Sequence, residues 1–356
     1  MGDGKVKILM TSIVDLKKSQ QNFLGKNLVK HPALRLDNRP HQFVKYLSKN
    51  HEVSVLSIND WWKGGQDNLE DYSSDFDDVF ERIEILHLTE KKVSPILQEL
   101  FSAKKVKEVL KGDFDIHLNY STLISGYFAS RRIKTVYDLA DDLGAMIKAS
   151  PQIPGLLRPF GGVLGDLMVG ENIRRSERVT VTTDALMRSC NIPDNKCEVI
   201  PNGVDTTLFR NYGDTKEELG IDGFVIGYVG VLREWVDLKP VFLALKDLDA
   251  EITMLVVGKE GRFDENVDLA KRCGVRTRVV FTGMVPYAQV PRCISAMDVC
   301  LIPFGRGAIS ENALPLKLFE YMACEKPVVS TELPGVKRAT GDGVMYARDG
   351  LWDNIA

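Results

Sequence analysis

The chain has 356 residues, more than one ordinary core accommodates and enough for two domains. Hydrophobic residues make up 44% and charged residues 27%, an ordinary globular composition, and a net charge of −3 supplies no general field for nucleic acid. The six cysteines (Cys190, Cys197, Cys273, Cys293, Cys300 and Cys324) contain no CxxC pair, which argues against a disulfide framework or a zinc site and for free thiols in a reducing compartment.

In chain order, apolar runs at Val6–Met10, Val53–Ile58, Ile83–Leu88, Ile116–Leu118, Thr135–Asp138 and Val179–Thr182 read as strands. Helical patterns at His41–Ser48, Ile96–Leu110, Leu123–Arg131 and Leu156–Arg175 lie between them. The pattern then restarts. Strands are expected at Val225–Val229, Ile252–Val257, Val279–Thr282, Val299–Pro303 and Val328–Ser330. Helices are expected near Leu238–Leu245, Asn266–Arg272, Val290–Ala296 and Lys317–Ala323. Strand–helix alternation means parallel sheets covered on both faces, and two such series predict an α/β chain of two doubly wound, Rossmann-like domains. The break falls near Asp205–Gly223, giving an acceptor-binding domain over 1–209 and a donor-binding domain over 210–356. A last strand signal near Val344–Tyr346 is followed by no helical pattern, so the closing helices are either dispensed with or removed.

Local charge is less even than the total. Lys17, Lys18, Lys26, Lys30, Arg35 and Arg39 crowd the segment after the first strand, and the acidic stretch Asp67–Glu81 reads as a surface loop. Lys104, Lys105, Lys107 and Lys111 follow on a helical pattern. These cations suit a solvated surface, or a basic face for anionic lipid or a phosphorylated acceptor. No stretch approaches the roughly 18–20 apolar residues of a membrane span, and no apolar signal core precedes the first strand, so a cytoplasmic location, with peripheral membrane contact at most, is expected.

The segment PLKLFEYMACEKPVV, Pro315–Val329, is the most informative. Proline at the first helical position starts a helix whose free N–H groups suit a phosphate. Lys317 adds a positive charge there, and Glu320, three residues on, shares its face. A lysine for phosphate and a carboxylate for paired sugar hydroxyls suit a nucleoside diphosphate; an ordinary surface ion pair has the same spacing.

This segment resembles the donor signature of GT-B glycosyltransferases related to family 4, in a PLK-x-x-E-Y variant. The resemblance covers Thr180–Asp349 well and the first half in outline. It implies that Glu320 holds the ribose and Lys317 the pyrophosphate, with Leu318 beside them. Asn312 stands where the family carries the first glutamate of its Glu-x7-Glu motif, which puts the usual hexose contact in doubt. Glu325 replaces the usual helix-ending glycine. VIPNGVD, Val199–Asp205, resembles the family's interdomain turn. In GYVGVLREWVD, Gly227 and Gly230 would let backbone approach a phosphate, while Val231 and Asp237 occupy places where cations are usual; Arg233 is the expected substitute. In FTGMVPYAQV, Met284 and Val285 are expected to hold the base through their backbone, and Tyr287 either stacks or packs.

In the first domain, YDLADDLG ends a strand and opens a loop at a carboxyl edge, where Asp138, Asp141 and Asp142 cluster. Asp138 or Asp141 would deprotonate an acceptor hydroxyl, or the aspartates would cap a helix. His117 is expected either in the core or facing the cleft.

The resemblance implies transfer from a nucleoside diphosphate sugar (UDP or GDP) to a hydroxyl on a glycan or lipid-linked acceptor, with no cofactor, no metal and no nucleic acid. A 2-epimerase of the same fold and a non-catalytic sugar-nucleotide-binding protein are the alternatives.

Overall fold

The computed structural model describes residues 4–14, 16, 39–59, 79, 82–89, 91, 93–149, 153–259 and 261–347. The basic cluster from Lys17 to Arg35 lies outside them, as does the acidic loop apart from Val79. The chain forms two compact units, Met1–Ile200 and Pro201–Ala356.

The first unit is built on seven parallel strands in the order β3-β2-β1-β4-β5-β6-β7. They are β1 (Lys7–Ser12), β2 (Glu52–Ser57), β3 (Glu84–His87), β4 (Ile116–Tyr120), β5 (Thr135–Leu139), β6 (Arg178–Val181) and β7 (Cys197–Val199). Leu9, Met10, Val55, Tyr137, Val179 and Val181 are fully buried, as expected for strands covered on both faces. The described helices are α1 (Arg39–Leu47), α2 (Pro95–Leu100), α3 (Ala103–Val109), α4 (Ile124–Ser130), α5 (Leu143–Ala149), α6 (Arg158–Arg175) and α7 (Asp184–Ser189).

Two local departures from expectation have clear causes. The helix expected over 96–110 is two helices, because Ser102 is buried and turns its hydroxyl back on Glu99 O at 2.7 Å, ending one helix before the next begins. The stretch after β5 is not an open loop. Asp142 accepts the N–H of Ala145 at 2.9 Å and starts α5 at once.

The second unit carries six parallel strands in the order β10-β9-β8-β11-β12-β13. These are β8 (Val225–Val229), β9 (Thr253–Val257), β10 (Val279–Gly283), β11 (Val299–Ile302), β12 (Val328–Thr331) and β13 (Met345–Ala347). Helices α8 (Lys239–Asp247), α9 (Phe263–Arg272), α10 (Val290–Ser295), α11 (Ala308–Asn312), α12 (Leu316–Ala323) and α13 (Pro334–Thr340) surround them. One continuous core runs from Phe209 to Ala347. Residues 201–209, expected with the first domain, fold onto this unit: Asn202 Nδ2 donates to Leu314 O at 2.8 Å and Phe209 is buried in its core. The strand order reverses between β8 and β11, so the carboxyl end of β8 is a topological switch point, the place where open α/β sheets bind ligands.

Candidate functional site

Chain geometry brings several of the expected donor residues to that switch point. β8 ends at Val229, and Gly230 follows with φ +128°, a conformation that side chains rarely adopt. A Cβ at Gly230 would lie 3.3 Å from Lys317 Cε and 3.5 Å from its Nζ. The bare glycine edge therefore lies directly against the lysine. Gly227 has a different use. It sits mid-strand, and a Cβ there would meet Met297 Sδ at 2.3 Å, so it makes room for core packing rather than for a phosphate.

Pro315 is not the first helical residue. Its extended backbone makes it the N-cap, and α12 begins at Leu316. Leu318 donates its N–H to Pro315 O at 3.1 Å and buries its side chain completely, so it is a core anchor and offers no side chain to a ligand. Tyr321, one turn on, is also fully buried, and its hydroxyl accepts the N–H of Val229 at 2.8 Å. This bond ties the helix to the strand end beside Gly230.

Lys317 is half-buried. Its Nζ lies 5.2 Å from the Tyr228 ring centre and 5.0 Å from that of Phe304, and among the described residues it forms no ion pair. Ring faces hold the ammonium in place without neutralising it. Burial pulls its pKa down to about 8, with Glu320 opposing. A poorly solvated cation of this kind gains most when an anion arrives. Glu320 accepts a hydrogen bond from the Tyr287 hydroxyl at 3.1 Å. Burial pushes its carboxyl upward, opposed by Lys317 and by that bond. Tyr287 packs edge-on against Phe209 at 5.4 Å, so its packing aims its hydroxyl at the carboxylate.

Arg233 is exposed, and its charge acts on the Tyr228 hydroxyl, which burial holds well above the usual tyrosine range. Met284 and Val285 follow Gly283 at the end of β10, both half-buried, with Val285 against the core. Asn312 closes α11 and is half-buried. Asp237, where a cation was sought, accepts the N–H of Lys239 at 3.0 Å and shapes the turn into α8. Glu325 has φ +58°, and the N–H groups of Glu325 and Lys326 close on Met322 O and Tyr321 O at 2.9 and 3.0 Å. The helix thus keeps the glycine-type ending without the glycine.

The first unit separates its aspartates by role. Asp138 is fully buried and forms a two-point pair with Arg39, at 2.8 Å to Nε and 2.7 Å to Nη2, while Thr180 also donates to it. It is engaged as a structural ion pair, which corrects its assignment as a free base. Arg39 likewise leaves the surface cation cluster. Asp142 caps α5 and takes a second bond from Ser189 at 3.2 Å. Asp141 is exposed, and among the described residues no hydrogen bond or ion pair engages it. Its carboxyl is held above the usual range, by desolvation first and then by Asp138 and Asp142, with Arg39 opposing. His117 is a core residue, bonded to Thr11 at 2.9 Å and Thr135 at 3.0 Å, and burial takes its pKa to about 3.

Sequence reasoning missed the Tyr287–Glu320 bond, the ring cradle of Lys317 and the Arg39–Asp138 pair. Only the first had a signal, a tyrosine shortly after the base-loop glycine.

Two doubly wound parallel units, the second with a lysine and a carboxylate at its switch point, make this a GT-B fold. Residues 213–353 match the family described as Glycosyl transferases group 1. The chain is 28% identical over 213 residues to a Bacillus subtilis protein named as the teichuronic acid biosynthesis glycosyltransferase TuaH, covering 58% of this chain and 52% of that one. It is 27% identical over 191 residues to D-inositol 3-phosphate glycosyltransferase of Rhodococcus jostii, covering 49% and 41%. The chain thus spans about half the length of the curated relatives it matches. Its fold is similar to that of Anabaena Alr3699/HepE in complex with UDP and glucose, with a TM-score of 0.67, 19% identity, and 99% and 88% of the two chains covered.

Proposed function

We propose that this protein is a metal-independent glycosyltransferase that moves a hexose from a nucleoside diphosphate sugar to a hydroxyl acceptor. The observation that carries the reading is the arrangement of Lys317 beside the bare Gly230 edge, with Glu320 held by Tyr287 one turn away. In this reading Lys317 and the free N–H groups at the start of α12 receive the diphosphate, with exposed Arg233 as a second charge. Glu320 takes the ribose hydroxyls. The backbone of Met284 and Val285 meets the base, and Asn312 faces the sugar.

The bond from the sugar's anomeric carbon to the β-phosphate oxygen breaks, and one to the acceptor oxygen forms. The leaving diphosphate gains charge, which a fixed, under-solvated ammonium and helix N–H groups stabilise more in the transition state than in the ground state. Asp141, unengaged and of raised basicity, takes the acceptor's proton. HepE was crystallised with UDP and glucose, which makes a uridine diphosphate hexose the first donor to test. TuaH, named for teichuronic acid biosynthesis, supports a cell-surface or lipid-linked glycan precursor as acceptor. Both curated relatives are named as glycosyltransferases, and neither as a 2-epimerase.

Donor hydrolysis and transfer with Lys317→Ala and Glu320→Ala test the proposal. Losing one charged contact of this kind costs about 2.7–4 kcal/mol in the transition state, or 10²–10³ in rate. Wild-type turnover in both variants would sink the assignment.

A further inference from the structure

The first unit carries a surface that sugar transfer leaves unexplained. Helix α2 is inside out. Its polar Gln98 and Glu99 are buried, Gln98 accepting the Asn59 N–H at 2.7 Å and Glu99 the N–H groups of Ile124 and Ser125 at 2.8 Å, at the start of α4. These bonds fix the helix orientation and turn Ile96, Leu97, Leu100 and Phe101 outward, Phe101 to 65% exposure.

Helix α6 is apolar on both sides. It buries Gly162, Gly165, Val169 and Ile173, while Phe160, Val163, Leu164 and Leu167 stay exposed opposite them, Phe160 at 76%. Leu156, in the turn before it, is 88% exposed. Exposed apolar side chains gathered in rows mark an interaction surface. Both α2 and α6 pack against α4, so the two rows flank one helix. Exposed cations share this layer: Lys104, Lys107 and Lys111 follow α2, and Arg131 and Arg132 follow α4. Carboxylates share the layer: Asp166 pairs with Lys148 at 2.8 Å, Glu171 with Arg174 at 2.7 Å and Glu108 with Lys105 at 3.9 Å, while Asp113 is exposed, so the five cations outnumber the carboxylates left to solvent.

We infer that this helix layer seats the first unit on the surface of an anionic lipid bilayer. The apolar rows enter the headgroup boundary and the lysines and arginines meet lipid phosphates. Among the described residues no helix is long and apolar enough to cross a membrane, so the contact is a surface one. Charge complementarity favours lipid over a second copy of the chain, because a symmetric pairing would set these cations against their own kind. The inference rests on the proposed membrane-borne acceptor. It is tested without donor or acceptor, so its failure leaves the transfer reading standing.

The test is sedimentation of the full chain with vesicles of phosphatidylcholine, with and without phosphatidylglycerol. Wild type is expected to pellet with the anionic vesicles only, and less at high salt. Phe101→Ser combined with Phe160→Ser should weaken partitioning at least about tenfold. Lys104→Glu combined with Lys107→Glu, which leaves the apolar rows intact, should weaken it on the order of fivefold per lysine removed. Phe101, Phe160, Lys104 and Lys107 are all exposed, so unchanged thermal unfolding is expected in both variants. Wild type remaining in the supernatant overturns the inference, as do variants that bind undiminished. Self-association through this face without vesicle binding overturns it in favour of a second copy.

Discussion

Replacing Lys317 with methionine separates its cost to the fold from its use to a ligand. Burial lowers its pKa from 10.5 to about 8, which corresponds to roughly 3 kcal/mol of unfavourable charge burial. The ammonium is only half-buried, and the Tyr228 and Phe304 rings offset part of that cost, which leaves about 1 kcal/mol. Methionine keeps the stem and its sulfur suits the same rings. Lys317→Met should therefore unfold about 2–4 °C higher than wild type in the absence of ligand. The sign with pH follows from a folded-state pKa below the unfolded one: the unfolded chain binds the extra proton. The variant's advantage is full below about pH 8 and closes as pH rises toward 10.5. A bound diphosphate favours the charged form, so the wild-type stabilisation by UDP should be strongest below about pH 8 and much smaller in the variant. The assay is thermal unfolding across pH with and without UDP. A variant that melts below wild type, or that keeps the UDP shift, refutes the reasoning.

Two further outcomes concern stability alone. Asp138→Asn removes the charge partner of buried Arg39 and should cost about 3–5 kcal/mol in urea unfolding; a loss under about 1 kcal/mol would show that the pair does not hold α1 to β5. Glu325→Gly relieves the left-handed residue at the end of α12 and gives up the bond from Asn211 at 3.3 Å, for a net gain of about 0.5–1 kcal/mol by the same measurement.

The fold was largely legible in the sequence because strands buried on both faces leave contiguous runs such as Val225–Val229 and Thr253–Val257. Short helices were not: α5 and α7 are too brief for their periodicity to stand out, and a buried serine split α2 from α3. At the site, Lys317 and Glu320 were readable because three-residue spacing on a helix is local. Their tuning was not. Glu320 depends on Tyr287, Lys317 on Tyr228 and Phe304, and Asp138 on Arg39, partners that only the folded chain brings together. Leu318 stands in the same motif, yet its side chain packs in the core.

The bond from Val229 N–H to the Tyr321 hydroxyl bears on redesign. It makes the Gly230 edge, Lys317 and Glu320 one prefabricated part whose spacing is set before any ligand arrives. Such a part can be moved between chains as a cassette bounded by β8 and α12, and it resists piecemeal change. An engineer seeking a new donor preference would leave it whole and vary the side chains that face it from the loops after β8 and β10.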